Sequence, residues 1–209
     1  MALRKSFAEP SASTPSHHDW RTVLPELSDG IVTLRELGTP DASSLVAHLN
    51  NVHVCRHIAP CPSTDVGFCR FIRWTHAERR RGALACYGIV PAGQTHAVGV
   101  IQVWPIERDF STAEWGFALG ESLWGTGLFR RGAGLVLDAV FSQFGVYRLE
   151  ARAVDVNERG NRALERLGAR RDGVLRGGFR DGPVVRDHVM WSILAPEWQA
   201  LRPGAHHAT

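Results

Sequence analysis

The chain has 209 residues, 44% of them hydrophobic, which is enough to bury one sizeable core and predicts a single domain. Its 24 Lys and Arg against 21 Asp and Glu give a net charge of +3, so charge alone does not predict a nucleic-acid partner. No apolar run approaches the roughly 20 residues of a membrane span, and no secretory signal is apparent at the N-terminus. We therefore expect a soluble, cytoplasmic protein without a membrane partner.

The cysteines form no CxxC pair, which argues against a disulfide framework or a zinc ribbon. His53, Cys55 and His57 alternate, and in a strand their side chains would lie on one face, where two imidazoles and a thiolate can hold a metal. Pocket or interface histidines are the commoner outcome of such spacing. We therefore expect no metal, and the role of these three residues stays open.

Ser, Pro, Ala and His enrich residues 1–22, which predicts a loose arm before a domain at 23–200 and a loose tail at 201–209. A β-prone run at 31–34 precedes a helix with Thr39 as cap and Pro40 in its first turn. Periodicity and turn residues predict the later elements. These are helices at 63–82, 128–144 and 161–167, and strands at 84–90, 97–104, 113–119, 148–154, 174–179 and 184–194.

The order strand, glycine turn, helix, strand between residues 113 and 154 predicts one right-handed βαβ crossover with parallel strands. The other strands follow one another through short turns, which is typical of antiparallel pairing. The sequence therefore predicts the α+β class, with a mostly antiparallel sheet.

The turn in that crossover is Trp124-Gly125-Thr126-Gly127. A glycine turn that leads into a helix leaves backbone N–H groups pointing at one spot, under the positive end of the helix dipole. Such a turn binds phosphate. It has neither the GKS/T ending of a P-loop nor the GxGxxG spacing of a dinucleotide fold.

This turn resembles the pyrophosphate loop of the GNAT acetyltransferases, Q/R-x-x-G-x-G/A, with Trp124 at the Q/R position and Phe129 in place of the last small residue. Downstream, Asn157 and the run at 161–169 are similar to the second motif of that family, N-x-x-S-x-x-x-x-E-K-L-G-F. The Trp-Gly-x-Gly form is similar to the RimJ/RimL-like branch, the ribosomal-protein N-terminal acetyltransferases. The resemblance covers residues 30–194.

The resemblance implies the acyl-CoA N-acyltransferase fold, with a seven-stranded sheet whose central parallel β-α-β unit splays open to hold acetyl-CoA. It implies that backbone groups of Phe117 and Leu119 pair with the pantetheine, that Asn157 bonds to the same arm, and that Arg130, Arg131 or Arg162 meets a phosphate. The residues predicted to bind the cofactor are Phe117, Leu119, Trp124, Gly125, Thr126, Gly127, Leu128, Phe129, Arg130 and Asn157.

Glu114 is the candidate general base, because it is the only carboxylate on the strand that would line the splay. The family's tyrosine general acid has no counterpart, since Leu164 stands at its position. The thiolate would then leave unaided or take a proton from water or the amine. Five residues outside the cofactor motifs are candidates for the acceptor pocket: His53, His57, Pro60, Trp74 and Trp104.

The predicted function is N-acetyl transfer from acetyl-CoA to a primary amine. A protein N-terminal α-amine is favoured because, near pH 7, far more of an α-amine than of a lysine is neutral. Three alternatives stay open: transfer to a polyamine or an amino-bearing antibiotic, a catalytically weak acyl-CoA-binding regulatory protein, and an RNA-associated module. A homodimer is also open.

Overall fold

The computed structural model describes residues 19–57 and 62–202. Its strands are β1 Leu27–Ser28, β2 Val32–Glu36, β3 Ala85–Pro91, β4 Gly99–Pro105, β5 Thr112–Leu119, β6 Arg148–Val154, β7 Arg170–Asp181 and β8 Val184–Leu194. Its α-helices are α1 Ala42–Leu49, α2 Val52–Cys55, α3 Asp65–Arg80, α4 Leu128–Ser142, α5 Glu158–Arg166 and α6 Ala195–Leu201. The strands form one sheet in the order β1-β2-β3-β4-β5-β6-β8-β7.

This architecture confirms the predicted α+β class with a mostly antiparallel sheet. The described sheet has eight strands instead of the predicted seven, because the two-residue β1 pairs with Thr33 and Leu34 of β2. The hairpin of β3 and β4 and the strand β6 lie where the sequence predicted them. A two-residue strand shows no alternation of its own, so only its partner reveals it.

The crossover from β5 through α4 to β6 gives the one parallel pair among the described strands. That pairing covers only Thr112–Glu114 against residues 148–150. Beyond it, β5 continues to Leu119 paired with β4 alone among the described strands, and β6 continues to Val154 paired with β8 alone. The two strands therefore diverge and leave an opening in the middle of the sheet. This opening is the splay that the family resemblance implied.

Helices cover both faces of the sheet. On one face, α4 buries Val136, Leu137 and Val140 in a core shared with side chains of β2 to β6, and Leu164 of α5 belongs to the same core. On the other face, α1 and α3 bury a second cluster that includes Leu45 and reaches β4 and β5. The splay thus opens between two separate hydrophobic cores.

A buried carboxylate joins the start of α1 to the sheet. Asp41, only 1% exposed, accepts two hydrogen bonds of 2.8 Å from the guanidinium of Arg35. It also accepts from the amides of Gly38 and Ala97, at 2.8 and 2.9 Å. Burial alone would raise the pKa of Asp41, but the Arg35 and amide bonds outweigh it and the pKa is lowered.

The hydrophobic core extends into the stretch that the sequence assigned to a loose arm. Trp20 is 6% exposed, and its ring lies 5.1 Å from that of Phe144 and 5.4 Å from that of Phe110. Residues 20–22 therefore belong to the packed domain. Residues 1–18 and 203–209, the rest of the predicted arm and tail, lie outside the described residues.

Candidate active site

The splay opens into a cleft of about 1130 Å³. Strands β4, β5, β6 and β8 contribute to its walls, together with α2 and the first turns of α4 and α5. The cleft therefore runs from the glycine turn before α4, past the point where β5 and β6 separate, to the face of the sheet that α1 and α3 cover. A long ligand can reach both faces of the sheet through it.

At one end of the cleft, the turn before α4 depends on two glycines with left-handed backbones. Gly125 has φ +79° and Gly127, the N-cap of α4, has φ +83°. Residues other than glycine are strained in this left-handed region of backbone conformation, because their Cβ atom clashes with the backbone. Inside the turn, the Thr126 hydroxyl donates to the Leu123 carbonyl at 2.8 Å and accepts from the Leu128 amide at 3.3 Å.

The backbone of β5 alternates between facing β4 and facing the cleft. The Gly120 amide donates to the carbonyl of Val98, the residue just before β4. Because backbone groups alternate in direction along an antiparallel strand, the backbone groups of Leu119 and Phe117 face away from β4. The Leu119 carbonyl accepts from the Trp124 indole at 2.9 Å. The backbone groups predicted to pair with pantetheine therefore point into the splay, and that of Leu119 already holds one bond.

Phe129, which departs from the family pattern, is part of an aromatic cluster. Its ring lies 4.2 Å from that of Phe117 and 6.5 Å from that of Trp115. The cluster packs the first turn of α4 against β5. A small residue at this position would lose that contact, so the aromatic side chain belongs to the local packing of this chain.

The splay has two arms, one formed by β5, the glycine turn and α4, and the other by β6 and α5. The second arm continues from β6 to Asn157, the N-cap of α5. The side-chain oxygen of Asn157 accepts from the Gly160 backbone amide at 2.9 Å, and the backbone amide of Asn157 donates to the Val154 carbonyl at 2.8 Å. Its Nδ2 group keeps the capacity to donate to a ligand. Two residues further along the chain, the Arg159 guanidinium lies over the Trp124 ring, 4.1 Å from the ring centroid.

Most of the residues predicted to bind the cofactor line this cleft: Phe117, Leu119, Trp124, Gly125, Gly127, Phe129, Arg130 and Asn157. Two do not, because the Thr126 hydroxyl turns back into its own loop and Leu128 is buried in the core. Among the candidate phosphate cations, Arg131 is bound to Asp29 at 2.8 Å instead, and Arg162 lines the cleft but is paired with Glu158 at 3.1 Å.

Glu114 lies at the last parallel pair, opposite Glu150, and does not itself line the cleft. Its Oε1 lies 3.2 Å from Nε of Arg152, and its side chain is 14% exposed. Burial raises the pKa of Glu114, and this effect outweighs the lowering by Arg152 and by Trp104. Two neighbours of this carboxylate do line the cleft: Arg152, and Trp104, which lies opposite Glu114 on β4.

Three histidines among the described residues line the cleft. His53 and His57 come from α2 and the residues after it, and His188 comes from β8, opposite Val154. Burial lowers the pKa of His57, with Arg56 adding to the effect. The pKa of His188 is also lowered by burial, and its Nδ1 is buried without a hydrogen-bond partner in the described structure.

The helix α2 replaces the strand on which the metal alternative for His53, Cys55 and His57 depended. Within 19–57 and 62–202, no group of three or more His, Cys, Asp or Glu side chains could hold a metal ion. Of the other acceptor candidates, Trp104 lines the cleft, Trp74 is 48% exposed on α3, and Pro60 lies outside the described residues.

The residues of the cleft wall that sequence reasoning missed include Gln102, Arg152, Arg159 and His188. Arg159 follows the cap Asn157 by two residues and carried no separate signal. Arg152 and His188 depend on the pairing of β6 with β8, where residue 152 lies opposite Met190. A single sequence does not contain that register.

No helix in the described part of the chain is long and apolar enough to cross a membrane. The chain is similar to the uncharacterized N-acetyltransferase p20 of Bacillus licheniformis, with 24% identity over 168 residues, 80% of this chain and 94% of the relative.

Two solved structures share the fold. RimJ of Mycobacterium smegmatis in complex with CoA-disulfide aligns with a TM-score of 0.74 at 22% identity, over 87% of this chain and 90% of its own. Ribosomal-protein-S5-alanine acetyltransferase of Vibrio fischeri aligns with a TM-score of 0.73 at 16% identity, over 86% of this chain and 100% of its own.

The acetyltransferase (GNAT) domain model matches residues 32–170, which include both arms of the splay and the turn between them. The match covers well over half of the chain and agrees with the motifs at Trp124 and Asn157 that the sequence offered. The chain therefore belongs to the GNAT acetyltransferase family and is an N-acetyltransferase.

Proposed function

We propose that this protein transfers an acetyl group from acetyl-CoA to the α-amine of a protein N-terminus. The observation that carries the proposal is the cleft itself. The glycine turn lies at one end of it, and Arg152 and Trp104 of its wall lie beside Glu114, where the strands separate. The first feature suits an anionic phosphate, and the second suits a reacting amine.

The residues of the cleft fit coenzyme A. The amides after Gly125 and Gly127 would hold the pyrophosphate, and backbone groups of Phe117 together with Asn157 would hold the pantetheine. The charge of the wall agrees, because six arginines line the cleft while Glu158 is the single carboxylate among its described lining residues. These arginines are Arg56, Arg130, Arg152, Arg159, Arg162 and Arg166.

Acetyl-CoA supplies an activated thioester, and the protein must supply a neutral amine beside it. Glu114 accepts the proton of the amine through a water molecule, because it does not itself line the cleft, whereas its neighbours Trp104 and Arg152 do. Burial raises the pKa of Glu114 and so brings it closer to that of an amine, which favours proton transfer.

The same carboxylate indicates the class of amine. An α-amine titrates near 7.7–8.0, so roughly a tenth of it is neutral at pH 7, whereas about 0.04% of a lysine is neutral. The difference is about 3.5 kcal/mol of deprotonation. A single glutamate whose charge is balanced by Arg152 supplies limited assistance, which favours the α-amine.

The charge of the cleft also argues against a polycationic acceptor. A polyamine needs several carboxylates to bind, and the described lining residues offer arginines instead. The likeness to the ribosomal-protein-S5-alanine acetyltransferase fold agrees with a protein acceptor and supports the proposal at the level of fold alone.

The test uses a peptide with a free N-terminus and an internal lysine, beside the same peptide with a blocked N-terminus. Release of CoA thiol measures turnover, and mass spectrometry locates the acetyl group. We expect the label on the free α-amine and almost none on the blocked peptide. Label mainly on lysine would contradict the α-amine assignment, and label only on a small amine would replace the protein acceptor.

A variant arm of the same experiment tests the base. Glu114→Gln should lower turnover by about 10²–10⁴-fold while the affinity for acetyl-CoA changes little. Glu107→Gln, which changes an exposed carboxylate outside the cleft wall, is the matched control and should turn over like the wild type. Wild-type turnover in the Glu114 variant would remove this residue from the mechanism.

A further inference from the structure

The two arms of the splay make a side-chain contact beyond the point where the strands separate. Trp124 follows the end of β5 on one arm, and Arg159 lies in the first turn of α5 on the other. The guanidinium carbon of Arg159 lies 4.1 Å from the centroid of the Trp124 ring, and both residues line the cleft. This cation–π contact therefore spans the cleft.

Trp124 is a fixed platform for that contact. Its indole nitrogen donates to the Leu119 carbonyl at 2.9 Å, and its ring packs partly buried against both hydrophobic cores. It immediately precedes the turn Gly125–Gly127. A guanidinium resting on this ring is therefore held beside the backbone amides that would bind the pyrophosphate.

Within the described residues, Arg159 has no carboxylate partner, whereas three other arginines around the splay do. Arg131 is bound to Asp29, Arg152 lies 3.2 Å from Glu114, and Arg162 is paired with Glu158. Over residues 19–57 and 62–202, no carboxylate oxygen lies within 4.0 Å of a nitrogen of Arg159, although Arg159 shares a helical turn with Glu158. Its positive charge is stacked on an aromatic face and is not neutralised by an acid.

A guanidinium stacked on an aromatic ring keeps its N–H edge for other partners, because the cation–π contact uses only its flat face. That edge matches phosphate oxygens in geometry and charge. In a cleft whose opposite arm carries the glycine turn, the anion in reach is the phosphate that the turn binds.

We propose that Arg159 binds the pyrophosphate of acetyl-CoA from the arm opposite the glycine turn, with Trp124 as the platform that positions it. The inference rests on the acetyl-CoA site of the proposed function. It adds a ligand from α5, so that the anion is held from both arms of the splay. Because the guanidinium of Arg159 rests on the Trp124 ring, we expect the charge and the platform to act as one unit.

Calorimetric titration of Arg159→Gln with three probes tests this. Acetyl-CoA carries the pyrophosphate and the 3′-phosphate, acetyl-dephospho-CoA carries the pyrophosphate alone, and S-acetylpantetheine carries neither. Loss of one charge-assisted phosphate bond should weaken the binding of acetyl-CoA and acetyl-dephospho-CoA by about 10- to 100-fold and leave the binding of S-acetylpantetheine unchanged. Arg73→Gln, an exposed charge on α3 outside the cleft wall, is the matched control and should bind like the wild type.

Each other result overturns the assignment. Equal weakening of all three probes would mean that Arg159 supports only the shape of the cleft, and weakening of acetyl-CoA alone would move the contact to the 3′-phosphate. Unchanged affinities would remove Arg159 from the site. Should the wild type bind no acetyl-CoA, the proposed function would fail first, which separates the two failures.

The platform has its own test in a double-mutant cycle. Trp124→Leu should weaken the binding of acetyl-CoA. The double variant with Arg159→Gln should lose clearly less affinity than the product of the two single fold-changes. Independent effects would contradict the role of Trp124 as the platform. Arg159→Lys keeps the charge without the planar fork and should bind with an intermediate affinity.

Discussion

Gly127 offers a direct test of the phosphate turn, because a pair of variants changes one charge and little else. Gly127 has φ +83°, and a Cβ added to it would meet no atom within 4 Å. Asn and Asp tolerate this backbone region better than other side chains and have almost the same size. Gly127→Asn and Gly127→Asp therefore carry the same modest backbone strain and differ in charge.

The expected difference follows from that charge. A carboxylate 4–8 Å from a phosphate, at the effective dielectric constant of about 20 for a protein surface, is repelled by about 2–4 kcal/mol. At about 1.4 kcal/mol for each factor of ten, Gly127→Asp should bind acetyl-CoA roughly 30- to 700-fold more weakly than Gly127→Asn. Both variants should unfold at similar temperatures without ligand, since nothing crowds the new side chain.

Thermal unfolding with and without acetyl-CoA reads out both quantities. At about 100 times its dissociation constant, the cofactor stabilises the wild type by roughly 2.7 kcal/mol. For a domain of this size, that raises Tm by about 5–11 °C. We expect Gly127→Asn to keep much of this shift and Gly127→Asp to lose most of it. Equal shifts in the two variants would refute the turn as the phosphate site.

Three further predictions concern charge and packing. Arg152→Gln removes a charge that lowers the pKa of Glu114, so the acidic limb of the pH profile of kcat/KM should move to higher pH. An unmoved limb would mean that the limb does not report the ionisation of Glu114 beside Arg152. Asp41→Ala leaves Arg35 and two amides without their acceptor and should cost about 3–5 kcal/mol in urea unfolding. In the wild type, that stability should be lost as pH falls through the lowered pKa of Asp41, and a pH-independent loss would contradict the ion pair. Trp20→Ala should cost about 3–5 kcal/mol, and a wild-type Tm would mean that its ring contacts contribute little.

Local signals in the sequence predicted the elements that carry their own periodicity or caps. The apolar stripe of α4 appears in the structure as fully buried side chains such as Val136 and Leu137. The start of α3 lies where the helix was expected to begin, with the Thr64 hydroxyl accepting from the Gly67 amide at 3.1 Å. In both cases the information lies within a few residues, so a single sequence is sufficient.

Elements and contacts that depend on distant pairing were missed. The strand β7 extends over Arg170–Asp181 and is longer than predicted. Its residues are mostly exposed and show no hydrophobic alternation, so the sequence pattern did not reveal its full length. The position of Glu114 beside the cleft wall follows from the three-residue parallel pairing with β6, and the contact of Arg159 with Trp124 joins two separate turns. Register and side-chain contact are set by tertiary packing, which a local pattern does not encode.

The short parallel junction between β5 and β6 also sets how the backbone of β5 exchanges with deuterated solvent. Beyond Glu114, the amide of Ala118 faces β4, while that of Phe117 faces the splay. Alternate amides of one strand should therefore exchange at different rates, with Phe117 faster than Ala118. A ligand that pairs with the open edge would slow only the faster set. Deuterium uptake along β5 would thus report occupancy of the cleft residue by residue, without any turnover.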